Sequence, residues 1–160
     1  NWISAAPTDV AVRLALANDL EAGGNLEAAQ AQYLAVLNLE PGNVTALNNL
    51  AWNLRRDDPK RALEYIRQAV AIAPNLPVLL DTLAVVESLN GDHASAQRNM
   101  ERALAAAPDD VSLRYHQAML AAARGDTAQA IAALEALLAN PSDDFPERAE
   151  AEALLRSLKG

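Results

Sequence analysis

Apolar residues recur along this chain at helical spacing, in short stripes separated by glycine, proline, asparagine and aspartate. Leu14, Leu16, Ala17 and Leu20 form a first stripe. Gly23-Gly24 ends it, because glycine accepts the left-handed turn beyond a helix C-terminus. Asn25 then caps a second helix, whose stripe is Ala29, Tyr33, Val36 and Leu37, and Pro41-Gly42 closes it. The plan returns with Leu47, Leu50, Ala51 and Leu54, then Ala62, Ile66, Ala69 and Val70, up to Pro74. The turn between these two stripes is Asp57-Asp58-Pro59, one residue shorter, with Asp58 as cap and Pro59 at the first helical position. A third round carries Leu80, Leu83 and Ala84, Gly91-Asp92, then Ala96, Met100, Ala103 and Leu104 up to Pro108. A fourth carries Leu113, Ala118 and Ala121, Gly125-Asp126, then Ala130, Leu134, Leu137 and Leu138 up to Pro141. A last helix is predicted from about Pro146 to Leu158, with Ala149, Ala153, Leu154 and Leu155 among charged residues.

The rounds keep a fixed beat. Pro7, Pro41, Pro74, Pro108 and Pro141 are separated by 34, 33, 34 and 33 residues, and Ala29, Ala62, Ala96 and Ala130 by 33, 34 and 34. A unit of that length cannot bury its apolar face alone, so neighbours must stack. The predicted fold is all-α, a right-handed α-solenoid of antiparallel helix pairs. Its repeats are 10–43, 44–76, 77–110 and 111–144, with a capping helix at 145–160. Pro7 falls where the proline of an earlier repeat would sit, so residues 1–9 read as the tail of a preceding repeat. That reading exposes apolar residues such as Val10 and Leu14 at the N-terminal end and makes self-association there an expectation.

Composition narrows the functional classes. Apolar residues are 51% of the 160, enough for a continuous core, and aromatics are 4%. No cysteine is present, so disulfides and thiolate sites are excluded. The net charge of −8 argues against nucleic-acid binding, which needs a basic face. No apolar run is long enough to insert directly into a membrane. No catalytic motif, metal-ligand spacing or cofactor loop occurs, so no enzyme activity, metal or cofactor is expected. His93 sits at a helix start and reads as solvated; His116 has no second ligand for a metal. The acidic pairs Asp57-Asp58, Asp109-Asp110 and Asp143-Asp144 precede helices and read as caps.

The pattern resembles the tetratricopeptide repeat. Its leucine and small residue appear as Leu16-Ala17, Leu50-Ala51 and Leu83-Ala84, with Gln117-Ala118 in the fourth round. Its alanine–aromatic element appears as Ala29/Tyr33, Ala62/Ile66, Ala96/Met100 and Ala130/Leu134. Glu87 and Ala121 stand where the family has an aromatic; Glu87 is expected to need a partner, with Arg98 and Arg102 the nearest candidates. Narrower strings, ALNNLAW (46–52), LLDTLA (79–84), LRYHQAMLAAARGD (113–126) and FPERAEAEALL (145–155), resemble the ends of bacterial repeat lipoproteins of exopolysaccharide-export and exosortase-type sorting systems. That resemblance implies a bacterial envelope scaffold, periplasmic or anchored to the outer membrane.

In such a solenoid the first helix of each pair lines a concave groove. The residues off its packing stripe are Leu14 and Asn18, then Asn48, Asn49, Trp52, Arg55 and Arg56, then Asp81, Thr82 and Val85, then Tyr115, His116 and Met119. Trp, Tyr and Arg dominate binding hot spots, and paired asparagines can hold an extended peptide backbone. The expected function is recognition of a protein or peptide partner. Some family members grip a C-terminal carboxylate; Asn18 and Asn49 fall at the asparagine positions of that clamp, but Leu14, Val78 and Thr82 replace its basic residues. Two rival readings are a structural cap for a longer array and a glycan-binding or glycan-processing module. The shortage of aromatic platforms and of a paired-carboxylate cleft weighs against the second.

Overall fold

A computed structural model describes residues 9–139 and 145–160. Pro7, Pro141, the Asp143-Asp144 pair and nearly all of the expected N-terminal tail lie outside the described residues. Among those described there are nine α-helices and no strand. They are α1 (Val10–Ala22), α2 (Leu26–Leu39), α3 (Val44–Leu54), α4 (Pro59–Ile72), α5 (Pro77–Leu89), α6 (His93–Ala106), α7 (Val111–Ala123), α8 (Thr127–Leu138) and α9 (Arg148–Lys159). The chain divides into two compact units, at Pro74 and Asn75.

Side-chain caps set most of the helix starts. Asp9, Asn25, Asn43, Asp58, Asp92 and Asp110 each accept a hydrogen bond from the backbone N–H three residues on. Those N–H groups have no partner within the helix, so the cap satisfies what would otherwise be orphaned. Asp58 and Asp110 thus cap as the sequence implies, while Asp109 pairs with Arg114 at 3.3 Å. The turns after α1, α5 and α7 pass through Gly24, Gly91 and Gly125 at φ +77°, +85° and +92°, where a Cβ would be strained. The shortened turn after α3 needs no left-handed residue: Asp58 N–H bonds the Leu54 carbonyl at 2.8 Å, and Arg55 stays in the right-handed region.

In the first unit α1 packs on α2, α2 on α3, and α3 on α4. Its core is Ala17, Ala29, Tyr33, Val36, Ala46, Leu47, Leu50, Ala51, Ala62, Ile66 and Ala69. Of the predicted α1 stripe only Ala17 is fully buried; Leu14 and Leu20 are half-buried, as are Leu16 and Val10. Among the described residues no helix precedes α1 to cover that side.

In the second unit α5 packs on α6 and α7, α7 on α8, and α9 on α8 and α7. Leu80, Ala84, Ala96, Met100, Ala103, Leu113 and Leu120 form one cluster, and Tyr115, Ala118, Leu134, Phe145 and Ala151 a second. Every residue of α5 from Leu79 to Glu87 is buried, as expected of a helix apolar on nearly all sides. Buried Glu87 accepts a hydrogen bond from Asn99 Nδ2 at 2.8 Å, and Arg102 donates to the same asparagine at 3.0 Å. The carboxylate therefore has the polar partner that its burial calls for, the Asn99 amide, while Arg98 bonds Ser95. The last helix starts later than predicted and buries Ala151, leaving Ala153 exposed. Ser112 donates to Glu147, and Lys159 pairs with Glu135, which fixes both ends of α9.

Candidate partner-binding face

Four side chains join α1, α2 and α3 through hydrogen bonds. Tyr33 is a core residue, yet its hydroxyl lies 2.8 Å from both Asn18 Oδ1 and Glu21 Oε2 and accepts from Asn49 Nδ2 at 3.2 Å. A phenol has one proton, so it donates to one of the two acceptors at a time. Burial, reinforced by the hydrogen bond to Glu21 and opposed by Asn49, pushes the Tyr33 phenol up to about 12, so it stays a donor at any physiological pH. Asn49 Oδ1 in turn accepts from Asn48 Nδ2 at 3.2 Å, and the buried Oδ1 of Asn48 is left without a partner.

One turn further along α3, the Arg55 guanidinium carbon lies 3.8 Å from the centre of the half-buried Trp52 ring, well within cation–π range. Arg55 Nη1 also donates to the Trp52 carbonyl at 2.6 Å, so the stack is held at two points. Burial and then the neighbouring Arg56 charge weaken the proton's hold on Arg55, while Glu21 opposes them. Arg56 and Asn18 are exposed. Asn18, Asn48, Asn49, Trp52, Arg55 and Arg56 are therefore all at least partly accessible in the first unit. Tyr33 and Glu21 belong with them, although helical spacing alone places neither on this face. The available signal is the tyrosine at the alanine–aromatic position, where the other rounds place Ile66, Met100 and Leu134.

In the second unit the expected groove residues are not open. Asp81, Thr82, Val85, Tyr115 and His116 are buried, and Met119 is half-buried. His116 Nδ1 sits 2.9 Å from both carboxylate oxygens of Asp81, and its ring lies 5.4 Å from that of Tyr115. Burial raises the Asp81 carboxyl above its ordinary range, against the hydrogen bond and charge of His116; Asp110 and Glu147 add to the rise. The placement of Asp81 and His116 on an open groove is corrected by this pairing: each supplies the partner that lets the other be buried.

A separate shallow cleft of about 70 Å³ lies among Ser88, His93, Gln97, Met100, Gln117 and Arg124. His93 is half-buried there, with Nδ1 3.2 Å from Ser88 Oγ, rather than simply solvated. Arg124 is held by Asp126, Gln129 and Gln97. No group of three or more metal-ligating side chains occurs among the described residues, and none of the described helices is long and apolar enough to cross a membrane.

Residues 14–77 and 86–145 match the tetratricopeptide repeat family. The chain belongs to it. Tetratricopeptide repeat folds are all-α solenoids of helix pairs, and solved structures agree with that class. A thermophilic tetratricopeptide repeat protein from Thermus thermophilus superposes with a TM-score of 0.78 at 20% identity, covering 96% of this chain and 85% of that one. YrrB, described as a tetratricopeptide repeat protein with an unusual peptide-binding site, gives 0.66 at 21% identity, covering 98% and 79%. The photosystem I assembly protein Ycf3 of Cyanophora paradoxa is 41% identical over 46 residues, 29% of this chain, and the match spans only 27% of that relative. The tetratricopeptide fold implies a scaffold for protein–protein interaction.

Proposed function

We propose that this chain is a non-enzymatic recognition module that holds a peptide segment of its partner on the α1–α3 face of the first unit. The observation that carries the reading is Trp52: a half-buried indole, fixed by Arg55 and lying one turn from paired asparagines. A rigid aromatic anchor beside amides that can both donate and accept is suited to an extended backbone. That YrrB has a peptide-binding site on the same fold supports the reading. In it the repeats are 10–43, 44–76, 77–110 and 111–144, and 145–160 is a capping helix packed on the fourth. The likeness of several strings to bacterial repeat lipoproteins supports an envelope assembly as the setting, without fixing the partner.

The test is selection of peptides from a displayed random library, followed by isotherms and thermal melts on the same two proteins. Trp52→Ala should weaken a selected peptide roughly 30-fold, as loss of a hot-spot aromatic does, with little change in melting temperature. A variant that binds normally but melts sharply lower makes Trp52 a core residue and removes the proposal; so does a library that yields no binder.

A further inference from the structure

In the second unit the shallow cleft lies where the repeat pattern breaks. At the position of buried Leu50 and Leu83 the fourth round has Gln117, and at that of buried Leu54 and Glu87 it has Ala121. The first change puts an amide where the earlier rounds bury a leucine; the second removes the bulk. Both residues line the cleft of about 70 Å³. Its floor is Ala96, Met100, Leu120 and Ala121, all buried. Its rim is polar and largely paired. Ser88 Oγ and His93 Nδ1 share a hydrogen bond, and Arg124 donates to Asp126, Gln97 and Gln129. Gln97 in turn donates to Glu101. Gln117 is the exception: half-buried on the lining, its amide forms no hydrogen bond among the described residues.

We propose that this cleft is a second binding site, independent of the α1–α3 face, and that it takes one neutral, branched aliphatic side chain of a partner protein, presented with its own peptide group. The floor is built from apolar side chains, so the group that enters is apolar. Size follows from the volume. A cavity of about 150 Å³ holds a benzene ring, and half of that suits a group of about three or four carbons, as in valine or leucine, rather than an indole. The rim decides the charge. The Arg124 cation is paired with Asp126, and the Glu101 carboxylate is taken by Gln97. A charged ligand would lose its hydration here without gaining a counter-ion. The Gln117 amide has a donor and an acceptor to offer, and these match the C=O and N–H of a peptide group.

The experiment titrates the full, isotope-labelled chain with N-acetyl-leucinamide and follows the backbone amide signals of α6 and α7. Saturable shifts centred on Ala96, Met100, Leu120 and Ala121 are expected in the millimolar range. N-acetyl-alaninamide should bind roughly tenfold more weakly, because its methyl group leaves most of the floor uncovered. N-acetyl-tryptophanamide, too wide for the cleft, and free leucine, charged at both ends, should also bind more weakly than leucinamide. Ala121→Leu fills the space and should abolish the leucinamide shifts while keeping or raising the melting temperature; Ala121→Val serves if the larger side chain disturbs the fold. Gln117→Glu removes the amide donor and should weaken leucinamide severalfold. No saturable shift with leucinamide overturns the proposal, and so do shifts that survive in a folded Ala121 variant. Tryptophanamide binding as tightly as leucinamide overturns the size argument, and free leucine doing so makes this a site for the amino acid itself, not for a side chain on a partner. Unchanged affinity in Gln117→Glu overturns the match to a peptide group.

Discussion

Replacing Asp81 with alanine removes the hydrogen-bond acceptor that sits 2.9 Å from the buried His116 Nδ1. Leaving a buried polar group unpaired costs about 1–3 kcal/mol. In a chain of this size each kcal/mol moves the melting point by roughly 2–4 °C, so a fall of about 2–12 °C is expected. Asp81→Asn keeps an acceptor at the same place and should lose less. Replacing both residues, Asp81→Leu with His116→Leu, removes the charge and its partner together and should cost less than either single change. The pH dependence has a definite sign. Burial raises the Asp81 carboxyl, so the folded chain holds that proton more tightly than the unfolded one. Its contribution is then greatest at acid pH and declines as pH climbs from the ordinary carboxylate range through the raised folded value. The amide introduced by Asp81→Asn does not titrate, so the stability of the wild type relative to that variant should shrink over the same interval. Thermal and urea melts across pH measure this, with hydrogen exchange of the α5 and α7 amides confining the effect to the second unit. An Asp81→Ala protein within about 0.5 kcal/mol of wild type would refute the pairing argument, and a gap that widens as pH rises would show that the His116 pairing outweighs burial.

Tyr33→Phe should cost about 1–2 kcal/mol, because the lost hydroxyl donates to Asn18 or Glu21 and accepts from Asn49; urea melts report it, and a change below about 0.3 kcal/mol would show that water replaces the phenol. Gly91→Ala forces a Cβ onto a residue at φ +85° where no atom crowds it, so the cost should be the backbone strain alone, about 1–2 kcal/mol, read as a lower melting point with unchanged helix content.

The helical architecture is legible in the sequence because its signals are local. Each cap lies three residues from the N–H it serves, each turn glycine lies beside its helix, and a period of about 34 residues repeats both. The candidate site is legible only in part. The accessible residues on α3 follow from helical spacing, and the structure leaves them accessible. Asp81 and His116, by contrast, look like accessible polar residues until their separation of 35 positions is seen to bring them into contact. The need of Glu87 for a partner can be read from its place in the repeat, but the reach of Asn99 cannot, and charge alone points to arginines. The Tyr33 ring reads as core, where it is, while its hydroxyl belongs to another layer of the structure.

The self-contained caps carry a consequence for how such a chain could be made and altered. Six of the nine described helix starts are completed by a side chain and an N–H only three positions apart, so such a helix emerging during synthesis can close its first turn before later segments exist. Within each unit the helices that pack most directly are consecutive, so order can be gained by accretion instead of waiting for a distant strand to return. The same wiring makes a helix pair a portable cassette: duplicating or deleting one carries its own punctuation with it, and the burden of change falls on the surfaces where it meets its neighbours.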